Sequence, residues 1–377
     1  MTGEKATILA AGLGLLAMAL VQWSPSLAAE GFFQAVGPRE FQFPEDHGHH
    51  PGFQTEWWYY TGNLTSKDGR AFGFQLTFFR VQLKPEPLLA GSPWRSNQLY
   101  FAHLTVSNLE DGKFLTAEKA GRSSMGIGGV SLDSQRVRVF LHSWETVIQG
   151  DVHDLKAQGD DFGIDLQLVS QKRPVLHGKK GLSRKGGGPR QASYYYTLSR
   201  LKSQGVLTLH DERLEVSGFS WMDHEFSSNV LSKDQAGWDW MGLQLSGNRE
   251  LMLYVLRHRD GSVDPYSSGT LIQSDGTPVH LPRETFVVRP VDFWVSKQSH
   301  ARYPSGWHVE VLPYRMNLTV TPNMKNQELI TSQSTQVTYW EGSVRVIGAA
   351  ASERVTGAGY VELTGYAGEF DLGFQGN

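Results

Sequence analysis

The 377-residue chain has no cysteine. Disulfides, thiolate metal sites and cysteine nucleophiles are therefore excluded, and an exported protein of this kind holds together by core packing alone. Apolar residues at helical spacing are also lacking, which argues against a mainly helical fold. Long apolar runs are scarce. One, at residues 8–21, follows Lys5 and precedes Ser26 and Ala28. It is shorter than the ~20 residues of a spanning helix and reads as a secretory signal, residues 1–28, with cleavage after Ala28 and a periplasmic or secreted product. Cleavage removes Glu4 and Lys5 together, so the formal charge stays at −3, and nothing marks a nucleic-acid binder. Motifs with a fixed mechanism are missing too: there is no Gly-x-Ser-x-Gly elbow, no His-Glu-x-x-His, no dinucleotide fingerprint and no phosphate loop.

Acids are absent from residues 166–210, where Lys172, Arg173, Lys179, Lys180, Arg184, Lys185, Arg190, Arg200 and Lys202 fall. The Gly-rich stretch 172–190 reads as a solvated loop or as a docking surface for an anionic partner or a lipid headgroup, hence a peripheral membrane contact.

What the chain does have is a period of two. Phe72, Phe74, Leu76 and Phe78 alternate, as do Val137, Val139 and Leu141, and Ile164, Leu166 and Leu168. Turn signals separate such runs at Asp68-Gly69, Asp111-Gly112, Gly247-Asn248, Asp260-Gly261 and Asp275-Gly276. The pattern predicts an all-β sandwich or barrel architecture. A weak echo between "EWWYYTGNL…FGFQLTFFR" and "WDWMGLQL…LMLYVLRHR" suggests two similar halves with a boundary near residues 232–236: residues 29–232 and 233–377.

Ionisable residues crowd among aromatics at three places. Asp46, His47, His49 and His50 are metal-ligand types, but they lie in a Gly/Pro segment with no helix to set their spacing, so no metal and no other cofactor is expected. Beyond them Glu56 and Trp58 share one strand face, and Trp57 shares the other with Tyr59. In "SGFSWMDHEF", Trp221, Asp223 and Glu225 share a face opposite Met222, His224 and Phe226. Two carboxylates on one side repel unless one holds a proton or a cation lies between them. Trp238 and Trp240 share a face opposite Asp239, and Glu341 and Glu362 lie in strands read as the closing strands of the second half. A buried hydrogen-bonded corner explains each group as readily as a site does. Aromatic walls with a few acids and histidines suit an apolar ligand and proton transfer to it.

The motifs "HPGFQTEWWYYTGNL", "GGGPRQASYYYTLSRL", "SGFSWMDHEF", "GWDWMGLQL" and "YWEGSVRVIG…GYVELTGY" together resemble the CrtC/AttH family of lipocalin-like proteins, over residues 48–366. The resemblance implies two consecutive lipocalin-like antiparallel β-barrel domains. It implies an apolar, isoprenoid- or carotenoid-like ligand, and two alternative activities. One is acid-catalysed hydration or cyclisation, as in carotenoid 1,2-hydratase relatives. The other is non-catalytic service as an AttH-type periplasmic partner of an ABC transporter permease. In the first, Asp223 is the acid and His224 its partner or the base, with Glu225 beside them. Trp221, Trp238 and Trp240 face the cation, and Glu56, Trp57, Trp58, Tyr60 and Tyr254 complete the ligand walls. Asp223 and His224 are then expected to line one apolar cavity at the junction of the barrels, within reach of Trp238 or Trp240. The hydratase branch carries an acid two positions after a strand tyrosine; here Tyr254-Val255-Leu256 puts Leu256 in its place.

The signal reading makes a direct prediction. N-terminal sequencing of the exported protein begins at Ala29; an intact Met1 in that fraction rules the cleavage out.

Overall fold

The computed structural model describes residues 31–85, 96–228 and 231–368. The expected signal, residues 1–28, lies outside the described residues. Only about 3% of the described residues are helical; two nearly closed antiparallel barrels make up almost all of the rest of the regular structure, with one separate two-stranded sheet.

The first sheet runs, edge to edge among its main strands, Lys113–Arg122, Gln98–Asn108, Ala71–Gln82, Thr55–Ser66, Glu212–Ser227, Ala192–Leu209, Phe162–Ser170, Val152–Gln158, Trp144–Gln149, Arg136–Leu141 and Gly128–Asp133. The second runs Pro278–Pro282, Ser268–Ile272, Arg249–His258, Gln235–Leu245, Glu353–Leu363, Thr338–Ala350, Met316–Pro322, Trp307–Val311 and Phe286–Pro290. In both, the first strand pairs with the last as well as with the second. The two hairpins that echo each other in sequence thus occupy equivalent places. The tight turns form where Asp-Gly pairs are: Gly69 and Gly276 sit at φ +90° and +88°, which a side chain rarely adopts.

The alternation seen in sequence fills the barrels. Phe72, Phe74, Leu76 and Phe78 are fully buried in the first core with Val137, Val139, Leu141, Ile164 and Leu168. The second core is built around Trp307, Trp340, Leu251, Leu253 and Val361. Because side chains alternate, the strands that line each interior also present an opposite face. Those outer faces meet. Tyr59, Tyr195, Trp221, Trp240, Met252, Tyr254, Leu256 and Tyr360 form a third buried cluster, the seam between the barrels. Close approach there needs small residues: a Cβ on Gly73 would lie 2.7 Å from the Tyr360 hydroxyl.

Polar pairs lock the seam. Ser343 Oγ donates to Asn63 Oδ1 at 2.5 Å, and His103 Nδ1 lies 2.8 Å from the Tyr339 hydroxyl. Another tie is ionic. Glu250 of the second barrel is fully buried and accepts from Lys172 Nζ at 2.7 Å and Arg200 Nε at 2.5 Å, both from the first. The acid-free stretch therefore spends two of its cations on one buried carboxylate, and its neighbour Lys185 is buried as well. Residues 172–190 are drawn down onto the second barrel, while Arg173, Lys179 and Lys180 remain exposed.

Removing one member of a buried ion pair strands the other charge, at a cost of about 3–5 kcal/mol. Glu250→Gln is expected to lower stability by that order and to expose the seam to limited proteolysis. Unchanged urea midpoint and cleavage pattern would show that the trio does not tie the barrels.

Candidate functional site at the seam

The strand Glu212–Ser227 feeds two separate clusters, because consecutive residues point to opposite faces. Met222, His224 and Phe226 face the first barrel; Trp221, Asp223 and Glu225 face the seam. The paired strand Thr55–Ser66 does the same: Glu56, Trp58 and Tyr60 point inward, Trp57 and Tyr59 outward. The structure therefore does not bring Asp223 and His224 to one cavity. Asp223 alone approaches Trp240.

Inside the first barrel Glu56 is the hub. Its Oε1 accepts from His50 Nδ1 at 2.6 Å and His224 Nε2 at 2.8 Å, and its Oε2 from Arg80 Nε at 2.8 Å and the His50 backbone N–H at 3.0 Å. His50 Nε2 meets Asp46 Oδ1 at 2.8 Å, and Arg39 reaches the same oxygen at 2.6 Å. With a carboxylate at each ring nitrogen, His50 is an imidazolium: burial works against its charge, but Glu56 and Asp46 outweigh burial and raise its pKa. Burial would likewise raise Glu56, yet Arg80 and His50 hold it well below the usual carboxylate range. Asp46 falls to about 2, its burial outweighed by His50, the Gln42 N–H and Arg39. His224 is kept neutral by burial, against the pull of Glu56. Its Nε2–H goes to Glu56, which leaves Nδ1 to accept from the Tyr196 hydroxyl at 3.0 Å. His50 Nδ1, Glu56 Oε1 and His224 Nε2 converge closely enough to share one ion. Arg80 and the imidazolium already give Glu56 the positive charge it needs, so a divalent ion there competes with a proton. The histidine turn thus has a scaffold the sequence did not show: the 3₁₀ turn Glu45–His47 and two strands fix Asp46, His47 and His50.

The seam is different. Asp223 Oδ1 accepts from Thr197 Oγ1 and Trp221 Nε1, each at 2.6 Å; Oδ2 lies 2.6 Å from the Tyr195 hydroxyl, which in turn accepts from Trp240 Nε1 at 3.0 Å. Burial dominates over these bonds and raises the Asp223 pKa to about 7. Glu362, bonded by Trp238 Nε1 at 3.0 Å, is raised to about 7 by burial, with Asp223 and Glu225 adding to it. Glu341 lies directly across the strand pair from Glu362 and is bonded by the Tyr59 hydroxyl; burial and Glu362 push it well above the normal range. Its Oε2 is buried with no hydrogen-bond partner. The one cation paired to these acids among the described residues is Lys185, 3.3 Å from Glu225 and 3.9 Å above the Tyr254 ring. Trp221 and Tyr59 both meet the Trp240 ring edge to face, at 5.9 and 5.3 Å. Half-buried Trp57, Trp238, Leu231 and Tyr266 complete the wall. Such a site keeps carboxyl protons near neutral pH among electron-rich rings whose N–H and O–H edges bond the acids.

The AttH-like family profile matches residues 34–366. The chain belongs to the AttH-like family. A structure assigned as AttH from Nitrosomonas europaea is 32% identical, with TM-score 0.78, over 88% of this chain and 99% of that one. Kievitone hydratase from Nectria haematococca is 16% identical, with TM-score 0.62, over 89% and 98%. CghA is also 16% identical, with TM-score 0.52, over 84% and 90%. At that identity the last two show the fold alone: this AttH-like chain has the lipocalin-like architecture of a known hydratase. No curated protein sequence matches the chain significantly.

Of the residues singled out in sequence, Asp223, Glu225, Trp57, Trp221, Trp238, Trp240 and Tyr254 gather at the seam. Glu56, Trp58, Tyr60 and His224 sit in the first barrel instead, and Leu256 is a buried seam residue. Tyr195, Thr197 and Lys185 were not legible as site residues. Glu341 and Glu362 had a signal, a lone acid in each of two apolar strands, but not one that told which way they face.

The two clusters predict opposite responses to substitution and pH. Glu56→Gln strands Arg80 and His50 and costs about 3–5 kcal/mol at pH 7. Glu362 has its pKa raised from 4.5 to about 7, so its favourable contribution is full below pH 4.5 and lost as pH rises through 7. Glu362→Gln does not carry that loss: its stability relative to wild type should improve by roughly 2–3 kcal/mol between pH 5 and pH 8. Urea midpoints at both pH values check this, and a constant difference would show that Glu362 titrates normally.

Proposed function

We propose that this chain binds an apolar, isoprenoid-like ligand at the seam and transfers a proton to it from Asp223, hydrating or cyclising it. The observation that carries the reading is one buried carboxyl, poised to titrate near pH 7 and enclosed by Trp221, Tyr195 and Trp240. Thr197 and Trp221 donate to Oδ1 and the Tyr195 hydroxyl to Oδ2, so the neutral acid carries its proton on the remaining lone pair of Oδ2. Transfer to an alkene carbon breaks the O–H bond, leaves Asp223 ionised and forms a tertiary carbocation. Indole and phenol faces stabilise a desolvated cation by about 2 kcal/mol or more. Water adds to the cation, and Glu362 or Asp223 receives the proton it releases; in cyclisation a second double bond attacks instead. Likeness of fold to kievitone hydratase supports the reading without deciding the substrate.

The second reading, a non-catalytic periplasmic partner of an ABC permease that carries the same ligand, is favoured by two observations. Leu256 is the nearest match to the position at which the family resemblance implies a hydratase acid, and three donors already satisfy the Asp223 carboxylate.

Incubation with an acyclic carotenoid in heavy-oxygen water separates the two. Wild type is expected to convert the carotenoid, with label in a hydration product and none in a cyclisation product, and Asp223→Asn to fold and bind while losing turnover by about 10²-fold or more. Binding without any turnover in wild type leaves the carrier reading, and full turnover in the variant removes Asp223 as the acid.

A further inference from the structure

The two-stranded sheet Phe293–Val295 with Arg302–Pro304 belongs to neither barrel sheet. Backbone bonds between Val291 and Gly306 and between Ser305 and Asp292 extend it toward the barrel. Its inner face is a stopper: Trp294 stacks on Tyr303 at 6.1 Å, and Tyr303 meets Tyr366 at 5.4 Å, both against the second core. Glu328 holds the stopper down, accepting from Ser296, Ser299 and, at 2.9 Å, the Tyr303 hydroxyl. The Tyr366 hydroxyl continues to Asp239 at 3.0 Å, the residue next to Trp238. The hairpin is thus packed on the second core and tied through Tyr366 to the strand Gln235–Leu245.

Its outer face should be polar, since water lies on that side. It is apolar instead. Val291, Phe293 and Val295, spaced two apart on one face, are 62%, 39% and 53% exposed. Cations surround them. The Arg302 guanidinium lies 3.6 Å above the Phe293 ring, Lys297 is exposed in the hairpin loop, and Lys325 pairs at 2.7 Å with Asp292, the hairpin's one acid. Lys297, Arg302 and Lys325 stand against Asp292 and the buried Glu328 beneath the hairpin, so the exposed rim stays positive. An apolar strip rimmed by long cationic side chains is the pattern of a surface that seats in the headgroup region, its chains lying along apolar surface while their charges meet phosphates.

We propose that this 291–304 hairpin docks the protein on an anionic phospholipid bilayer. The inference stands on the hairpin alone and holds whether the seam is catalytic or a carrier site. It places the lipid contact on the second barrel rather than on residues 172–190, whose Lys172 and Lys185 are occupied at the seam.

Co-sedimentation with phosphatidylglycerol-containing and with pure phosphatidylcholine vesicles tests it. Full-length mature protein is expected to sediment with the first, less with the second, and less as salt rises. Phe293→Glu with Val295→Glu should weaken binding about tenfold or more, and Lys297→Glu with Arg302→Glu should weaken it on anionic vesicles only. Ile347→Glu, at an apolar position 54% exposed on the barrel wall, should change nothing. Thermal melts verify that each variant is folded; the charge pair, fully at the surface, keeps the test decisive if the apolar pair unfolds. Wild type that ignores both vesicles overturns the proposal, as does binding that survives both paired substitutions. A concentration-dependent dimer lost on Phe293→Glu, without vesicle binding, would assign the face to a second copy of the chain and overturn it equally.

Discussion

Glu56 decides which way this protein faces. Its carboxylate collects Arg80 from the next strand, His224 from the last strand of the barrel and His50 from the N-terminal segment, all out of contact with water. A one-residue slip of the strand Glu212–Ser227 against Thr55–Ser66 would turn His224 outward and drive Asp223 into the barrel. Glu56 would lose one partner and face a second carboxylate with no cation added. The register is therefore held by charge as well as by packing. The Asp223 side of the seam inherits its orientation from an ion pair on the other side of the sheet.

The same few residues yield opposite electrostatics on the two faces because cations are distributed unequally. Inside the first barrel Arg39, Arg80 and His50 serve Asp46 and Glu56, and both carboxyls are held below their ordinary pKa. At the seam Asp223, Glu341 and Glu362 are raised, and the neighbouring cation, Lys185, is drawn to Glu225. One cluster keeps fixed charges and gives rigidity; the other keeps exchangeable protons. Environments within one fold thus push the pKa values of like groups in opposite directions.

Much of the architecture was legible in the alternation of residues such as Phe72, Phe74, Leu76 and Phe78, and in the Asp-Gly turns, since period and turn chemistry are local properties. The family was legible in its motifs. The partition of the site was half legible: alternation alone puts Asp223 and His224 on opposite faces, and crowding in sequence argued them together. Proximity along a strand is poor evidence of a shared cavity. Lys185 was beyond reach, because a lysine in a Gly-rich basic stretch looks solvated until a carboxylate from another strand is known to lie beneath it. The scaffold of His50 was hidden for the same reason: its partner Glu56 is near in sequence, but Arg80 and His224, which fix that partner, are not.

The seam also explains why the chain needs two barrels. Small barrels filled as these are, with Phe, Leu and Trp side chains at the centre, have given their interiors to packing. An outer face is dry only where a second body covers it. Docking by Glu250, Asn63 and His103 supplies that cover. Burial is what raises Asp223 and Glu362, so the electrostatics of the seam belong to neither barrel alone. Separating them would return both carboxyls toward ordinary values, and a single barrel would keep the Glu56 hub while losing the raised acids.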